Sequence, residues 1–162
     1  MATEIIGCAA APADGARPPC SVSGAAPVLL GIHHAAIICS NYGASRRFYT
    51  EVLGLRVLAE NFRAARDSWK LDLQLPDGGQ IELFSMPLVP PRPSYPEACG
   101  LRHLAFAVSD LQAWVEHLNG LGVAVEPVRL DEYTGRRFVF FQDPDQLPLE
   151  LYEVEAPTLT PS

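Results

Sequence analysis

Apolar and polar residues along the chain follow two spacings, which predict short strands and two amphipathic helices. In residues 69–75 every second position is apolar, as expected for a strand with one buried face. Residues 42–52 and 111–118 instead carry apolar side chains at helical spacing, and Gly54 and Gly122 stand where each helix would end. The pattern therefore predicts an α+β fold.

The same pattern occurs twice in the chain. The segment HAAIICSN from His34 matches HLAFAVSD from His103, which begins 69 residues further on. Because an internal repeat signals a repeated structural unit, the chain is predicted to hold two paired modules, residues 28–86 and 100–154, each in the order βαβββ. The predicted strands are 32–39, 56–61, 69–75 and 80–85 in the first module, and 101–108, 123–129, 137–142 and 148–154 in the second.

Local signals support the predicted boundaries of these elements. Asn41 and Asp110 precede the two helices, and side chains of this kind accept hydrogen bonds from the free N–H groups of a first helical turn. The sequences PDGG at 76–79 and DPDQ at 143–146 predict the turns that connect the last two strands of each module.

Three segments lie outside the modules. Residues 1–27 are rich in alanine and proline and are predicted to be disordered, and residues 155–162 are predicted to form a flexible tail. Residues 87–99 contain five prolines, which predict a stiff, extended connector that neither enters a sheet nor continues a helix.

Composition excludes several classes of protein. The net charge of -7, from 12 basic and 19 acidic side chains, disfavours a nucleic-acid partner, which needs clustered cations. No apolar run approaches the roughly 20 residues that a membrane-spanning helix needs. Residues 1–27 lack the basic start and apolar centre of a secretory signal, which favours a cytoplasmic location. Cysteine occurs four times without a CxxC pair, which favours reduced thiols.

Each module carries one histidine and one glutamate at equivalent positions. His34 and His103 stand near the start of each first strand, and Glu82 and Glu150 lie between apolar neighbours on each last strand. A single glutamate in such a strand is most often a solvent-facing residue. When two equivalent modules pair about a pseudo-twofold axis, however, equivalent positions converge. The repeat therefore predicts that these four side chains form one metal site.

Two imidazoles and two carboxylates form a mixed nitrogen and oxygen donor set, which suits Ni²⁺, Co²⁺, Fe²⁺, Mn²⁺ or Zn²⁺. An octahedral ion would keep two positions for a substrate with oxygens on adjacent carbons. Such a chelate polarises a carbonyl and stabilises the enediolate that forms when a neighbouring C–H proton leaves. Glu82 and Glu150 are both candidates for metal ligand and for general base, and the sequence does not separate these roles.

Four further residues are candidates for binding an anionic end of the substrate. They are Lys70 on the predicted strand 69–75, and Tyr133, Arg136 and Arg137 in the segment DEYTGRR. The alternative for each is an ordinary solvated side chain on a strand or turn.

The segments HAAII at 34–38, FYTEVLGL at 48–55, FQDPD at 141–145 and LEL at 149–151 resemble the vicinal oxygen chelate superfamily. Within it, the chain is similar to small glyoxalase I-like (lactoylglutathione lyase-like) proteins over residues 28–154. The resemblance implies paired βαβββ modules curving around one divalent metal ion, with the two histidines and two glutamates above as ligands.

The resemblance also bears on the metal and the substrate. A histidine in the first ligand position, here His34, is similar to the nickel- or cobalt-activated type of enzyme more than to the zinc type. The arginine and asparagine that serve glutathione in that enzyme's pattern are Ile38 and Met86 here. The family resemblance implies that homodimers are common, and modules can pair within or between chains.

Together these features predict a metal-dependent lyase or isomerase that abstracts a proton next to a metal-chelated carbonyl of a small oxygenated substrate. A 2-oxoaldehyde hemithioacetal is one substrate of this kind. The alternatives are an acyl-CoA epimerase, an extradiol dioxygenase of the same fold, or a non-catalytic binding or resistance protein.

Overall fold

The computed structural model describes residues 27–93 and 98–155. The described residues fall into two units, which divide between Gly31 and Ile32. Within the first unit, the described residues 27–31 form neither helix nor strand. The predictions for residues 1–26, for the middle of the connector and for residues 156–162 lie outside the described residues.

The second unit contains the two predicted modules, and the fold class is confirmed. The elements of the first module are β1 His34–Cys39, α1 Tyr42–Arg47 followed by a π-helical turn Phe48–Val52, β2 Arg56–Arg63, a 3₁₀ turn Ala64–Arg66, β3 Ser68–Gln74 and β4 Gln80–Ser85. The elements of the second module are β5 Leu104–Val108, α2 Leu111–Gly120, β6 Arg129–Leu130, β7 Arg137–Gln142 and β8 Pro148–Glu153.

The two modules have the same sheet topology. The first sheet has the order β1-β4-β3-β2 and the second has the order β5-β8-β7-β6. In each sheet the first strand runs parallel to the last strand and the other neighbours are antiparallel. Strands β1 and β5 are therefore equivalent edge strands; His34 is the first residue of β1, and His103 immediately precedes β5.

The structure confirms the two side chains that were predicted to cap the helices. Asn41 Oδ1 accepts a hydrogen bond from the Ala44 backbone N–H, and Asp110 Oδ1 accepts one from that of Ala113. Both side chains cap the first turn of their helices.

Gly54 and Gly122 follow the two helices with φ angles of 71° and 74°. Glycine adopts this left-handed conformation without steric cost, which explains why both helices end there.

Two predicted strands are wrong in extent, and the first of them, predicted over 101–108, begins only at Leu104. Residues 123–129 were expected to form a continuous strand, but only an isolated bridge between Val125 and Phe141 and the two-residue strand β6 form there. Pro127 lies inside this segment and has no backbone N–H to donate to a neighbouring strand, which explains the interruption.

The two modules pack against each other through the helical segment of the first module and the β7–β8 turn of the second. The Phe48 and Phe141 rings lie with centroids 6.4 Å apart. The hydroxyl of the fully buried Tyr49 donates to Asp143 Oδ2 at 3.0 Å. Asp143 also accepts hydrogen bonds from the backbone N–H groups of Asp145 and Leu147. A buried carboxylate thus joins the modules.

Among the described residues, no helix is long and apolar enough to cross a membrane. Cys39 is buried and Cys99 is exposed, and both are free thiols. Cys8 and Cys20 lie outside the described residues.

Candidate metal centre

The first histidine and glutamate lie on one face of the first sheet. In the parallel register of β1 and β4, Ala36 is the partner of Glu82, and His34 is two residues before Ala36, so all three share a face. His34 Nε2 is 3.7 Å from Glu82 Oε2. The neighbours Ile81 and Leu83 point to the opposite face, where both are buried in the core.

The second module repeats this arrangement. Ala105 is the partner of Glu150 in the parallel register of β5 and β8, and His103 is two residues before Ala105. His103 Nε2 is 2.9 Å from Glu150 Oε2. The Glu150 side chain is 10% exposed and the Glu82 side chain 17%, so the second pair is the more enclosed.

Within one chain, the structure forms these two pairs separately. No group of three or more His, Cys, Asp or Glu side chains in residues 27–93 and 98–155 is arranged to hold a metal ion. The predicted convergence of all four ligands is therefore not present in a single chain. Each half of the predicted set is formed, with its imidazole facing its carboxylate.

The chemistry of each pair fits a divalent ion. Imidazole nitrogen and carboxylate oxygen are ligands that first-row divalent metals accept. The His103 Nδ1 atom is buried and has no hydrogen-bond partner among the described residues. The second nitrogen of a ligating histidine normally donates to a carboxylate, a backbone carbonyl or water, and among the described residues His103 Nδ1 has no such acceptor.

Lys70 lies on the same face as the first pair. Its ammonium donates to Glu82 Oε1 at 2.9 Å and also bonds Asp72. Burial disfavours the charged form of Lys70, but the hydrogen bonds to Asp72 and Glu82 outweigh this effect and raise the pKa of the ammonium. The predicted substrate-binding residue Lys70 is therefore brought to the candidate site.

The corresponding face of the second sheet is aromatic. Phe140 is the antiparallel partner of Glu150, and Phe138 is the partner of Tyr152. The Arg129 guanidinium carbon lies 5.2 Å from the Phe138 ring centroid and 5.1 Å from that of Phe140. Sequence reasoning missed these residues, although alternation along β7 from the glutamate's partner could have placed both rings.

The other predicted substrate-binding residues lie in a different setting. Arg136 Nη2 donates to Glu155 Oε1 at 2.6 Å, and Arg137 Nε donates to Glu153 Oε2 at 2.7 Å. Since Glu153 and Glu150 are an odd number of positions apart on β8, their side chains point to opposite faces. Tyr133 is exposed. The structure brings none of these three side chains into contact with the His–Glu pairs.

Residues 31–151 match the model of the Glyoxalase/Bleomycin resistance protein/Dioxygenase superfamily. The fold and the repeated His–Glu pairs define a two-module protein of this type, and the chain belongs to that superfamily.

Three comparisons illustrate the relationship. The chain is 57% identical over 122 residues to the uncharacterized protein YaeR of Escherichia coli (strain K12), which covers 75% of this chain and 95% of that protein. It is 50% identical to a glyoxalase family protein from Enterococcus faecalis, whose crystal structure superposes with a TM-score of 0.72 over 76% of this chain and 98% of that one. It is 28% identical over 151 residues to a 2-epi-5-epi-valiolone epimerase from Actinomyces sp, covering 80% of this chain and 82% of that protein.

Proposed function

We propose that the protein is a metal-dependent lyase or isomerase that removes a proton next to a carbonyl of a small oxygenated substrate. The observation that carries the proposal is the repeated pair of histidine and glutamate on equivalent strands, His34 with Glu82 and His103 with Glu150. Pairing of the two equivalent modules would bring both pairs to one ion, which gives the recurrence a chemical use.

A second copy of the chain would complete the site. Each pair supplies two ligands, and the two pairs stay separate within the described part of one chain. The edge strands β1 and β5 are apolar, with the sequences HAAIIC and LAFAV. An unpaired apolar edge is a template for pairing with another chain. We therefore propose a homodimer in which the first module of one copy faces the second module of the other.

The bound ion would supply Lewis-acid polarisation of the substrate carbonyl. His34 and His103 would hold it through their Nε2 atoms, which are the atoms that face the carboxylates. Nickel or cobalt suits this all-nitrogen-and-oxygen set, and zinc, iron or manganese is the alternative.

The contacts of the two glutamates favour different roles for them. Glu82 Oε1 accepts a hydrogen bond from the Lys70 ammonium, which occupies that oxygen and holds the carboxylate in place. Among the described residues, Glu150 has no lysine or arginine partner, and its carboxylate faces the His103 imidazole. We propose that Glu150 accepts the substrate proton and that Glu82 acts as a ligand positioned by Lys70.

An epimerase is the second candidate. The 28% identity to 2-epi-5-epi-valiolone epimerase extends over both modules. Epimerisation next to a carbonyl needs the same first step, removal of a proton by a positioned carboxylate, followed by return of a proton to the other side of the carbon. The pair of glutamates on two modules could serve both directions.

The ligand would be a small molecule, handled in the cytoplasm. The free thiols of Cys39 and Cys99 agree with a reducing compartment, and the net charge of -7 disfavours nucleic acid.

Metal analysis of the purified full-length protein tests the proposal. We expect one divalent ion per chain, since each site takes two histidines and two glutamates, and turnover that a chelator removes and Ni²⁺ or Co²⁺ restores. Turnover can be screened with 2-oxoaldehyde hemithioacetals and with hydroxyketones. Absence of a stoichiometric ion, together with no uptake of Ni²⁺ or Co²⁺, would reject the metal-dependent reaction in favour of a non-catalytic binding protein.

A further inference from the structure

A cavity of about 250 Å³ borders His103 and is rich in arginine. Its described lining includes three arginines, Arg92, Arg102 and Arg129, and one carboxylate, Glu126. Guanidinium groups thus lie together beside one of the proposed metal ligands, in a chain whose net charge is -7.

Arg129 is held at this cavity by aromatic rings. Its guanidinium lies over Phe138 and Phe140, and the Phe140 ring in turn contacts His103, with centroids 5.1 Å apart. Arg129 Nη2 donates to Glu126 Oε2 at 2.8 Å. A guanidinium has five N–H donors, so the stacked group keeps further donors for an acceptor in the cavity.

Two buried polar atoms at this cavity lack partners. Arg92 is anchored by Nη2, which donates to the carbonyl oxygens of Leu101 and Arg102 at 2.6 and 3.2 Å. Arg92 Nε and His103 Nδ1 are the buried side-chain nitrogens or oxygens without a hydrogen-bond partner in the described part of the chain. Buried polar atoms are normally hydrogen-bonded, and both of these nitrogens belong to residues that line the same cavity.

We propose that this cavity binds an oxyanion, the carboxylate or phosphate end of the substrate. Guanidinium donors match the oxygens of these groups. Because His103 belongs both to the cavity and to the His103–Glu150 pair, the anionic end would lie close to the carbons that react. The inference rests on the proposed function only for the statement that this anion belongs to the substrate.

Calorimetric titration of the full-length, metal-free protein tests the site without any turnover. The probes are inorganic phosphate, acetate and neutral acetamide. We expect an oxyanion to bind and acetamide not to bind, and binding of that oxyanion to weaken about tenfold or more in Arg129→Gln, since a charge-assisted hydrogen bond is lost. The matched control is Arg56→Gln, because Arg56 bonds Gln74 on the first sheet, away from the lining residues.

Comparing phosphate with acetate shows which kind of oxyanion the cavity binds. Preference for phosphate indicates a phosphorylated or phosphonate substrate, and binding of acetate indicates a carboxylic acid. Arg129→Lys keeps the charge and is expected to bind with intermediate affinity, and thermal melting checks that each variant is folded. Equal affinity in wild type, Arg129→Gln and Arg56→Gln, or no binding of either anion, would overturn the inference. Metal analysis of the same preparations reports separately on the proposed function.

Discussion

At the scale of single residues, the two glutamates have equivalent positions but different neighbours. Glu82 shares its face with Lys70 and Asp72, and Glu150 shares its face with Phe138 and Phe140. The equivalence follows from the repeat and could be predicted from sequence. The different neighbours of the two glutamates come from the adjacent strands, β3 and β7. Which residues of those strands lie beside each glutamate depends on the pairing register, which the structure provides.

We expect Glu150→Gln to lose turnover by about 10²- to 10⁴-fold, the usual contribution of a positioned general base. The amide keeps an oxygen that can face the metal, so metal content should be retained. The comparison is Glu82→Gln, which should lower metal affinity more than the rate at saturating metal. Metal analysis and steady-state kinetics on both variants make the measurement. Unchanged turnover in Glu150→Gln would remove this residue from the role of base.

At the scale of elements, a buried hydrogen bond connects the π-helical turn of the first module to the β7–β8 turn of the second. Burial, followed by the charge of Asp143 and the hydrogen bond to it, raises the pKa of Tyr49, so this phenol remains a donor. The apolar spacing of residues 42–52 predicted that Phe48 and Tyr49 are buried, which the structure confirms. Their contacts with the second module are long-range, and no local pattern predicts them.

Tyr49→Phe removes the hydroxyl that donates to Asp143 and leaves a buried carboxylate with one donor fewer. We expect the free energy of unfolding to fall by about 1–2 kcal/mol, measured by urea denaturation. The control is Tyr42→Phe, because the Tyr42 hydroxyl bonds Glu60 at an exposed position and its loss should cost less than about 0.5 kcal/mol. Equal losses in the two variants would contradict this role of the buried bond.

The change of the unfolding free energy with pH should follow from the direction in which folding shifts the pKa of Asp143. Burial raises the pKa of Asp143, more than its hydrogen bonds from Leu147 and Tyr49 lower it. The folded state therefore holds this proton to a higher pH than the unfolded state does. The contribution of Asp143 to stability is then greatest below its unfolded value of 3.8 and declines as the pH rises through the folded value.

Unfolding free energies of wild type and Asp143→Asn measured from about pH 3.5 to pH 7 test this sign, and the advantage of wild type should shrink as the pH rises. Glu60→Gln provides a control of opposite sign. A hydrogen bond from Tyr42 lowers the pKa of Glu60, so its contribution is present above 4.5 and is lost as the pH falls. If the stability difference between wild type and variant changed with pH in the same direction for Asp143→Asn and Glu60→Gln, the raised pKa of Asp143 would be contradicted.

Sequence patterns located most elements because their signals are local. Strands β4 and β7 have the predicted bounds, 80–85 and 137–142. The helix predicted over 42–52 forms, but its second half is a π-helical turn, a change in hydrogen bonding that apolar spacing does not reveal. In segment 123–129 the apolar residues suggested a strand, and the missing donor of Pro127 outweighed that preference.

At the scale of the whole molecule, the repeat predicts which residues share a site but not which chain supplies them. Equivalent modules can pair within one chain or between two chains, and the same sequence satisfies either arrangement. The homodimer proposed above assigns the two His–Glu pairs of one site to different chains, since the pairs stay separate within the described residues of one chain. This question concerns assembly, and it is open to a direct experiment.

Co-expression of His34→Ala and His103→Ala chains tests the proposed exchange of modules. If each site takes its first module from one copy and its second from the other, a mixed dimer has one doubly defective site and one intact site. Random pairing should then restore about a quarter of the wild-type sites, measured as metal content and turnover of the mixture. Each variant expressed alone is the control. No recovery in purified mixed dimers would place the complete site within one chain.

The contrast between the charged face around Glu82 and the aromatic face around Glu150 has a stereochemical consequence. Two identical walls would accept a bound molecule equally well in either of two opposed orientations. In the proposed dimer, the face that carries Lys70 and Asp72 would lie opposite the face that carries Phe138 and Phe140, and this difference would break that degeneracy. A proton taken by Glu150 would then always leave from one prochiral face, and the product should be of a single handedness.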